Sequence, residues 1–330
     1  MQFSFSSDQI EFAAGLRDML QREFTVERLR EVWNDGTGVD DAVWSKLADM
    51  GVLSMLVPES DGGMGGDFVD AVLLVEELGR AAVPGPVMET MTVGALALRG
   101  TRFAGPLASG RVKVTAALCD EPYVAHADGA DIVLLGGVHG AHARAVERDQ
   151  LDVVVVEGID GGRRLAAITQ RANASDVGVT IDRDMLVDAG ALATAAFLIG
   201  LSSRMLEIAG EYARSRLQFG QPIGSFQAVK HLMADALLKV EFARPAVYRA
   251  AWSHAVDAST RARDVSMAKA LASEAAQKAA RSALQVHGAI GYTWECDLHL
   301  FMKKAWALIP AWGSVSFHRR RVAASVLGPR

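Results

Sequence analysis

Residues 216–231 read RLQFGQPIGSFQAVKH, and this segment interrupts a part of the chain that is otherwise typical of long helices. Gly220 and Gly224 flank Pro222, which predicts turns, and the helical spacing of apolar residues resumes at about Ser225. The free amides at the start of that next helix, beside the cation of Arg216, suit a phosphate or pyrophosphate group. A simple turn between two helices, capped by the serine, also explains the pattern.

A second glycine-containing segment, QVHGAIGYTWE, occupies residues 285–295 and follows another predicted helix. Gly288 and Gly291 allow the backbone to approach a ligand closely, and the amide of Gln285 can hydrogen-bond a ring edge or a phosphate. On its own, this segment is also typical of a turn that ends a helix. Neither segment specifies a function when it is considered alone.

Composition divides the chain into three predicted domains. Residues 1–108 predict an N-terminal helical domain that begins with a capped helix at Ser7. Residues 109–182 predict a small β-domain, because they contain short β-branched segments. These segments lie at 113–119, 130–138, 151–159 and 176–181.

Residues 183–330 form the third region, which is rich in alanine and helical in its spacing. Helices are predicted at about residues 185–217, 225–258 and 262–287, and a last one begins near Trp294. Four long helices with short connections predict an antiparallel four-helix bundle. The predicted fold class is therefore mainly α.

Bulk properties exclude several classes of function. A chain of 330 residues with 50% hydrophobic and 22% charged residues can bury a large core, and its net charge of -5 gives no general attraction to nucleic acid or anionic membranes. Its two cysteines, Cys119 and Cys296, match no metal or redox spacing. The first residues resemble no export signal, and no stretch of about 18 uninterrupted apolar residues occurs. We therefore expect a cytoplasmic protein without a membrane span.

Together, the two glycine-containing segments resemble one protein family. R-x-Q-F-G-x-P-I-x-x-F-Q-A-V-K-H, followed later by Q-V-H-G-A-I-G-Y-T-x-E, is similar to the C-terminal half of flavin-dependent acyl-CoA dehydrogenases. LADMGVLSMLVPESDGGMGG at residues 47–66, followed by VEELGRA, resembles the N-terminal helical domain of that family. The similarity extends over nearly the whole chain.

The resemblance implies an acyl-CoA dehydrogenase fold of helical domain, β-domain and four-helix bundle, assembled as dimers of dimers. It also implies FAD, whose isoalloxazine ring lies between the β-domain and the bundle of one subunit. The ADP portion of that FAD reaches the neighbouring subunit, where the two glycine-containing turns contact it. The matching positions are all intact in this sequence: Arg216, Gln218, Phe219, Phe226, Gln227, Gln285, His287 and Gly288.

The part that resembles the family's β-domain is shortened. Members usually carry a T-E-P-x-A-G-S-type loop and, further along, a W-I-S/T segment, which together hydrogen-bond and wall the flavin ring. Here residues 120–122 (DEP) resemble a remnant of the loop and run almost directly into residues 126–128 (HAD), which resemble a motif beyond the W-I-T. No tryptophan occurs between Trp44 and Trp252. We expect this chain to hold no flavin ring of its own.

The chemistry of the family also needs a carboxylate base beside the thioester α-carbon, with a pKa raised toward neutrality by apolar surroundings. The family places that base at one of two positions. At the first, this chain has Trp312 before Gly313, and indole cannot accept a proton from carbon. At the second, near the start of the first bundle helix, it has Gly190. Asp188 is the nearest carboxylate, either as a substitute base or as an acid favoured by the helix dipole.

The intact and missing parts predict a non-catalytic companion subunit of a heteromeric acyl-CoA dehydrogenase. A full-length partner in an α2β2 complex would supply the base and the thioester pocket and would hold most of the FAD, which gives two flavins per four chains. The substrate would be an acyl-CoA, possibly derived from a steroid, and the acceptor an electron-transferring flavoprotein. Two alternatives stay open: an autonomous homomeric dehydrogenase that uses Asp188 or another acid, and a non-enzymatic scaffold.

Overall fold

The N-terminal part of the chain folds into a layer of helices. The computed structural model of the protein describes residues 4–119, 121–136, 140–171, 177 and 180–328. The first helix follows Ser6, whose hydroxyl accepts from the Gln9 amide while the Gln9 side chain accepts from the Ser6 amide, a capping box. The helices of this layer are α1 (Ser7–Glu23), α2 (Val26–Asp35), α3 (Asp41–Asp49), α4 (Phe68–Arg80), α5 (Ala95–Ala97) and α6 (Ala104–Ala108).

A π-helical turn occupies Glu89–Gly94 and runs directly into α5. Every residue of the turn is buried. The hydroxyl of Thr90 donates to the carbonyl of Val114 over 3.2 Å, which ties the turn to the first strand. Such wider turns are frequent at functional sites, and this one carries the carboxyl group of Glu89 into the interior.

The strands of the middle region form two small sheets among the described residues. They are β1 (Val114–Ala117), β2 (Val124–Ala125), β3 (Ile132–Gly136), β4 (His142–Glu147), β5 (Leu151–Val156), β6 (Leu165–Gln170) and β7 (Thr180–Asp182). The first sheet has the order β1-β3-β4-β7, with a parallel β1–β3 pair and antiparallel pairs elsewhere. The second has the antiparallel order β2-β6-β5.

The sequence predicts some of these strands and misses others. The predicted segments 113–119, 130–138 and 151–159 contain β1, β3 and β5. The prediction misses β2, β4 and β6, because β2 is very short and the other two read HARAVE and LAAITQ, whose alanines and charges form strands weakly. Parts of two predicted strands, at 137–138 and at 176 and 178–179, lie outside the described residues.

The C-terminal region is a helical bundle. Its helices are α7 (Arg183–Ser215), α8 (Gln227–Ala255), α9 (Arg261–His287), α10 (Leu298–Leu308) and α11 (Val315–Leu327). The first three pack against one another, and the last two pack on α9. The prediction of one final helix from about Trp294 is wrong, because the helix begins at Leu298 and is divided after Leu308. Pro310 and the left-handed backbone of Trp312 follow that break.

Helix α7 lies at the centre of the molecule. It is long and apolar enough for a membrane span by length and composition, but 94% of its most apolar window is buried inside this protein. It packs against α4 of the N-terminal layer and against α8 and α9 of the bundle. One continuous core includes Leu16 of α1, Val114 of β1, Leu192 of α7 and Trp312. Both ends of α7, where the candidate residues lie, are therefore held by the rest of the fold.

Candidate functional site

The R-x-Q-F-G segment forms a tight hairpin after α7. β8 (Leu217–Gln218) pairs antiparallel with β9 (Gln221–Pro222), and Phe219 and Gly220 between them have φ angles of 54° and 79°. Positive φ at both central residues is typical of type I′ hairpin turns; glycine adopts it freely, whereas a larger residue pays about 1–3 kcal/mol. The Phe219 side chain is 92% exposed, so burial within this chain does not offset that strain.

Arg216 and its neighbours offer polar groups beside this hairpin. The Arg216 amide donates to the Tyr212 carbonyl at the end of α7, and the Arg216 carbonyl accepts from the Ile223 amide, both over 2.8 Å. Its exposed guanidinium makes no ion pair or hydrogen bond within the described residues. Phe226 precedes α8 without a side-chain cap, and its ring meets that of Phe219 edge-on at 6.0 Å. Gln218 and Gln227, the first residue of α8, are exposed.

The second glycine-containing turn lies at the same end of the bundle. Helix α9 ends at His287, and Gly288 follows with a φ of 63°. The buried His287 ring stacks on Tyr212 at 4.5 Å, and its Nδ1 lies 2.8 Å from the Ala283 carbonyl. His287 therefore joins the ends of α7 and α9, a positioning role inside the bundle. Gln285 and Gly288 are exposed on the surface.

The two family positions for the base come together in space. Trp312 is 7% exposed and has a φ of 60°. A Cβ atom built on Gly190 would lie 2.4 Å from two carbon atoms of the Trp312 indole, which is closer than side-chain atoms approach. Glycine at 190 is therefore required by the indole, and the indole fills the space beside both positions. Neither position provides a carboxylate.

Two side chains form hydrogen bonds with the Trp312 backbone. Its amide donates to Glu121 Oε1 over 2.8 Å, and its carbonyl accepts from His318 Nε2 over 3.0 Å. Burial lowers the pKa of His318 to about 3, so its ring is neutral near pH 7. The fully buried Lys269 donates to the Ile309 carbonyl over 2.8 Å at the end of α10, and burial lowers the pKa of Lys269 to about 7. Sequence reasoning missed His318 and Lys269, which carry no motif.

A buried acid beside Trp312 was also missed. Glu89, on the π-helical turn, is 5% exposed. Burial raises the pKa of Glu89, although the charge of Arg163 and a hydrogen bond with Trp312 oppose that shift. The void between Glu89, Glu121, Arg163 and Trp312 measures only about 20 Å³. That volume suffices for about one water molecule, not for a flavin ring or an acyl group.

Asp188, the substitute base considered from the sequence, has no access to a substrate. Its fully buried carboxylate accepts from Arg321 Nη1 over 2.8 Å and from Arg261 Nε over 3.2 Å. Both oxygens are thus paired with guanidinium groups inside the fold. The structure assigns Asp188 to an ion-pair cluster that joins α7, α9 and α11.

The residues fit one part of FAD and not the other. At the first end, an unpaired guanidinium, exposed amides and two positive-φ turns offer the donors that a pyrophosphate accepts. At the second end, the space beside the base positions is filled by the Trp312 indole. The DEP remnant begins at a residue outside the described ones, but Glu121 within it is bonded to Trp312. The first end therefore fits the ADP portion of FAD, and the indole at the second end leaves no room for a carboxylate at either base position.

The fold and these turns define a class of protein. The family model described as acyl-CoA dehydrogenase, N-terminal domain, matches residues 6–102, and that of the acyl-CoA dehydrogenase C-terminal domain matches residues 178–327. The chain belongs to the acyl-CoA dehydrogenase family, whose members are FAD-dependent oxidoreductases that act on CH–CH groups. The resemblance and the fold class predicted from the sequence are thereby confirmed.

Curated relatives and solved structures agree. The acyl-CoA dehydrogenase IpdE2 of Mycobacterium tuberculosis is 37% identical over 274 residues, 81% of each chain, and IpdE2 of Mycolicibacterium smegmatis is 34% identical over 313 residues, 93% of this chain and 95% of the relative. A chain of the ChsE4-ChsE5 complex from Mycobacterium tuberculosis superimposes with a TM-score of 0.91 and 25% identity over all of both chains. A steroid acyl-CoA dehydrogenase variant, Tcur3481-Tcur3483, gives 0.89 and 25%, covering 97% of this chain and 98% of the other.

Proposed function

We propose that this chain is the non-catalytic companion subunit of a heteromeric acyl-CoA dehydrogenase and clamps the ADP portion of FAD held mainly by its partner. The observation that carries the proposal is the contact between Trp312 and Gly190. An indole occupies the first family base position, and it leaves room for nothing larger than glycine at the second. No carboxylate can stand beside a thioester α-carbon at either position.

The exposed hairpin supports the clamp. Phe219 holds a strained backbone conformation while its ring faces solvent, and the Arg216 guanidinium has no partner among the described residues. Strained backbone conformations of this kind cluster at binding sites, which supports contact between this turn and another molecule. The clamp residues would then be Arg216, Gln218, Phe219, Phe226, Gln227, Gln285 and Gly288, with His287 as the residue that sets the two turns side by side.

The partner is a full-length acyl-CoA dehydrogenase subunit in a cytoplasmic α2β2 complex with two flavins per four chains. Two of the solved structures that this chain resembles bear paired names, ChsE4-ChsE5 and Tcur3481-Tcur3483, and the second is described as a steroid enzyme. These descriptions support a heteromeric assembly and an acyl-CoA substrate derived from a steroid. An electron-transferring flavoprotein is the expected acceptor.

The test is to purify the chain alone and together with the product of the adjacent reading frame. We expect flavin absorbance and acyl-CoA-dependent bleaching of the flavin only in the complex, with one FAD for each pair of chains. Stoichiometric FAD and turnover by the lone chain would instead establish an autonomous dehydrogenase.

Arg216→Ala in the complex separates the clamp from a scaffold role. Loss of a charge-assisted contact should weaken FAD binding by about 1.5–3 kcal/mol, roughly ten- to a hundredfold in Kd. Arg214→Ala is the matched control, since Arg214 is also exposed near the end of α7 but lies before the hairpin. Equal flavin retention by both variants would favour the scaffold.

A further inference from the structure

Strand β6 is paired along its whole length on one side and over only two residues on the other. All six residues of Leu165–Gln170 pair with β5 in antiparallel register. On the opposite side, β2 pairs only with Leu165 and Ala166. Within the part of the chain that the structure describes, residues 167–170 therefore have no strand on that side. We call this side of residues 167–170 the open edge.

The hydrogen bonds at the two ends of β6 show which way its backbone groups point. At one end, the His126 amide donates to the Arg164 carbonyl over 2.6 Å, so the polar backbone groups of Arg164 face the β2 side. At the other end, the Arg171 amide donates to the Gln150 carbonyl over 3.1 Å, so those of Arg171 face β5. Successive residues of a strand direct these groups to opposite sides. The two bonds therefore agree that even-numbered residues of β6 face the β2 side.

Ile168 and Gln170 thus direct their N–H and C=O groups toward the open edge. No backbone hydrogen bond from another described residue reaches these groups on that side. The register of β2 would place Pro122 opposite Ile168, and proline has no N–H group to donate. The residue before that proline, Glu121, accepts from the Trp312 amide instead. The backbone groups of Ile168 and Gln170 are therefore left for a different strand.

The open edge differs from the outer edge of the same sheet. β5 is the outer strand, and it carries Asp152, whose carboxylate accepts from Arg171 Nε over 2.9 Å. Charged side chains on an edge strand hinder its pairing with another chain. Residues 167–170 read AITQ and carry no charge. Of these two edges, the open edge is the one that favours the addition of a strand.

A row of unpaired backbone groups on a strand binds an extended peptide segment, which adds to the sheet through main-chain hydrogen bonds. Ile168 packs beside Val153 against a buried apolar cluster, so an apolar side chain suits the position opposite Ile168. Gln170 accepts from the Arg144 guanidinium, which makes no ion pair with any residue that the structure describes. An acidic side chain therefore suits the position opposite Gln170.

The open edge is too short to hold a second chain by itself. A stable interface buries about 800 Å² on each partner, far more than four residues of backbone supply. The added strand must therefore belong to a chain that is also bound over a larger surface. We propose that an extended segment of the partner dehydrogenase subunit adds to this sheet beside residues 167–170. This inference rests on the proposed companion role, which supplies that partner.

Residue-resolved hydrogen exchange of the lone chain, and of its complex with the product of the adjacent reading frame, tests the proposal. In the lone chain, the amides of Ile168 and Gln170 should exchange rapidly, while β5 protects those of Ala167 and Thr169. In the complex, exchange at Ile168 and Gln170 should slow by roughly tenfold or more. Unchanged exchange in the complex would overturn the proposal. Slow exchange in the lone chain that depends on its concentration would also overturn it, because a second copy would then be the occupant.

Proline substitutions locate the contact. Ile168→Pro removes the N–H group that faces the open edge without removing a bond to β5, and it should weaken partner binding roughly two- to tenfold. Val153→Pro is the matched control, since Val153 lies opposite Ile168 and its N–H group faces the outer edge of β5. Equal weakening by the two variants would refute the assignment.

The outcomes separate this inference from the companion role. A complex that forms and holds FAD, but leaves exchange at Ile168 and Gln170 unchanged, would contradict only the added strand. Failure of the two chains to form a complex would contradict the companion role itself. Exchange does not depend on a substitution, so the test stands even where a proline variant fails to fold.

Discussion

At the scale of single residues, Trp312 and Gly190 determine what the region of the family's active centre can do. The indole lies where any side chain at position 190 would project, and its backbone is held by Glu121 on one side and His318 on the other. A close-packed interior leaves little room to adjust. Replacing Trp312 by glutamate alone would therefore restore a carboxylate without restoring a pocket.

Because a side chain at position 190 and the Trp312 indole would occupy the same space, substitutions at the two positions should have non-additive effects on the free energy of unfolding. Gly190→Ala should lower the free energy of unfolding by about 1–3 kcal/mol, since the added methyl group meets the indole. In a Trp312→Ala background the same change should cost nothing, or stabilise by up to about 1 kcal/mol through helix propensity. Urea unfolding of the four variants measures this coupling. Additive effects would show that the two residues do not compete for space.

The neutral His318 predicts a pH dependence. Its folded pKa of about 3 lies below the unfolded value of about 6.5, so the unfolded chain binds the proton more tightly. Stability from this group is fully present above pH 6.5 and is lost as the pH falls toward 3. Between pH 7 and pH 5 the loss should be about 2 kcal/mol. Urea unfolding of wild type and His318→Gln at both pH values tests this, and parallel pH slopes would contradict it.

At the scale of elements, the hairpin of β8 and β9 combines a strained turn with an exposed aromatic ring. The type I′ pattern of φ angles suits glycine or asparagine, yet Phe219 occupies its first central position. Within this chain the Phe219 ring meets only the edge of Phe226 among the aromatic rings of the described residues. The strained Phe219 backbone therefore lowers the local stability of the turn while it places an aromatic ring on the protein surface.

Phe219→Asn separates stability from binding at this element. Asparagine tolerates positive φ, so the relieved strain and the lost ring contact should nearly cancel. The melting temperature of the isolated chain should change little, by the equivalent of less than about 1 kcal/mol. Flavin retention by the complex should fall. A large loss of stability with unchanged flavin retention would mean that the hairpin serves this chain's own fold.

At the scale of the whole molecule, the two ends of α7 differ in whether they leave polar groups exposed for a ligand. One end carries the exposed residues of the proposed clamp, and at the other the Trp312 indole fills the space beside both base positions. In a symmetric dimer each subunit serves its neighbour in the same way, whereas a pair of unlike chains can divide these tasks. In the proposed heterodimer, the turns of this chain contact FAD, whereas the corresponding turns of the partner face a chain that holds no flavin ring.

This inequality predicts an asymmetric response to mutation. Arg216→Ala in this chain should release FAD from the complex, because the proposed clamp would face the flavin of the partner. The corresponding substitution in the partner's R-x-Q-F-G turn should leave FAD content unchanged, since it faces a chain without a flavin ring. Flavin absorbance of the two gel-filtered complexes compares them. Equal losses would indicate that both chains hold flavin.

Much of this could be predicted because local patterns specify it. The capped helix at Ser7 and the turn around Gly220 follow from short-range chemistry, and the paired glycine-containing motifs identify the family. The strands at His142–Glu147 and Leu165–Gln170 could not be predicted, because their neighbours in the sheets, not their composition, stabilise them. Glu89 and Glu121 were not recognised as neighbours of Trp312, since residues distant in the sequence define the void between them.

The sequence by itself determined the family, the residues that the proposed clamp would use and the absence of a carboxylate at both base positions, since each depends on which residue occupies a given position. The tertiary structure decided what fills the space. It placed Trp312 against Gly190, paired Asp188 with two arginines and buried His287 between two helices. Such outcomes depend on long-range packing, in which a side chain's role follows from neighbours that the chain order does not reveal.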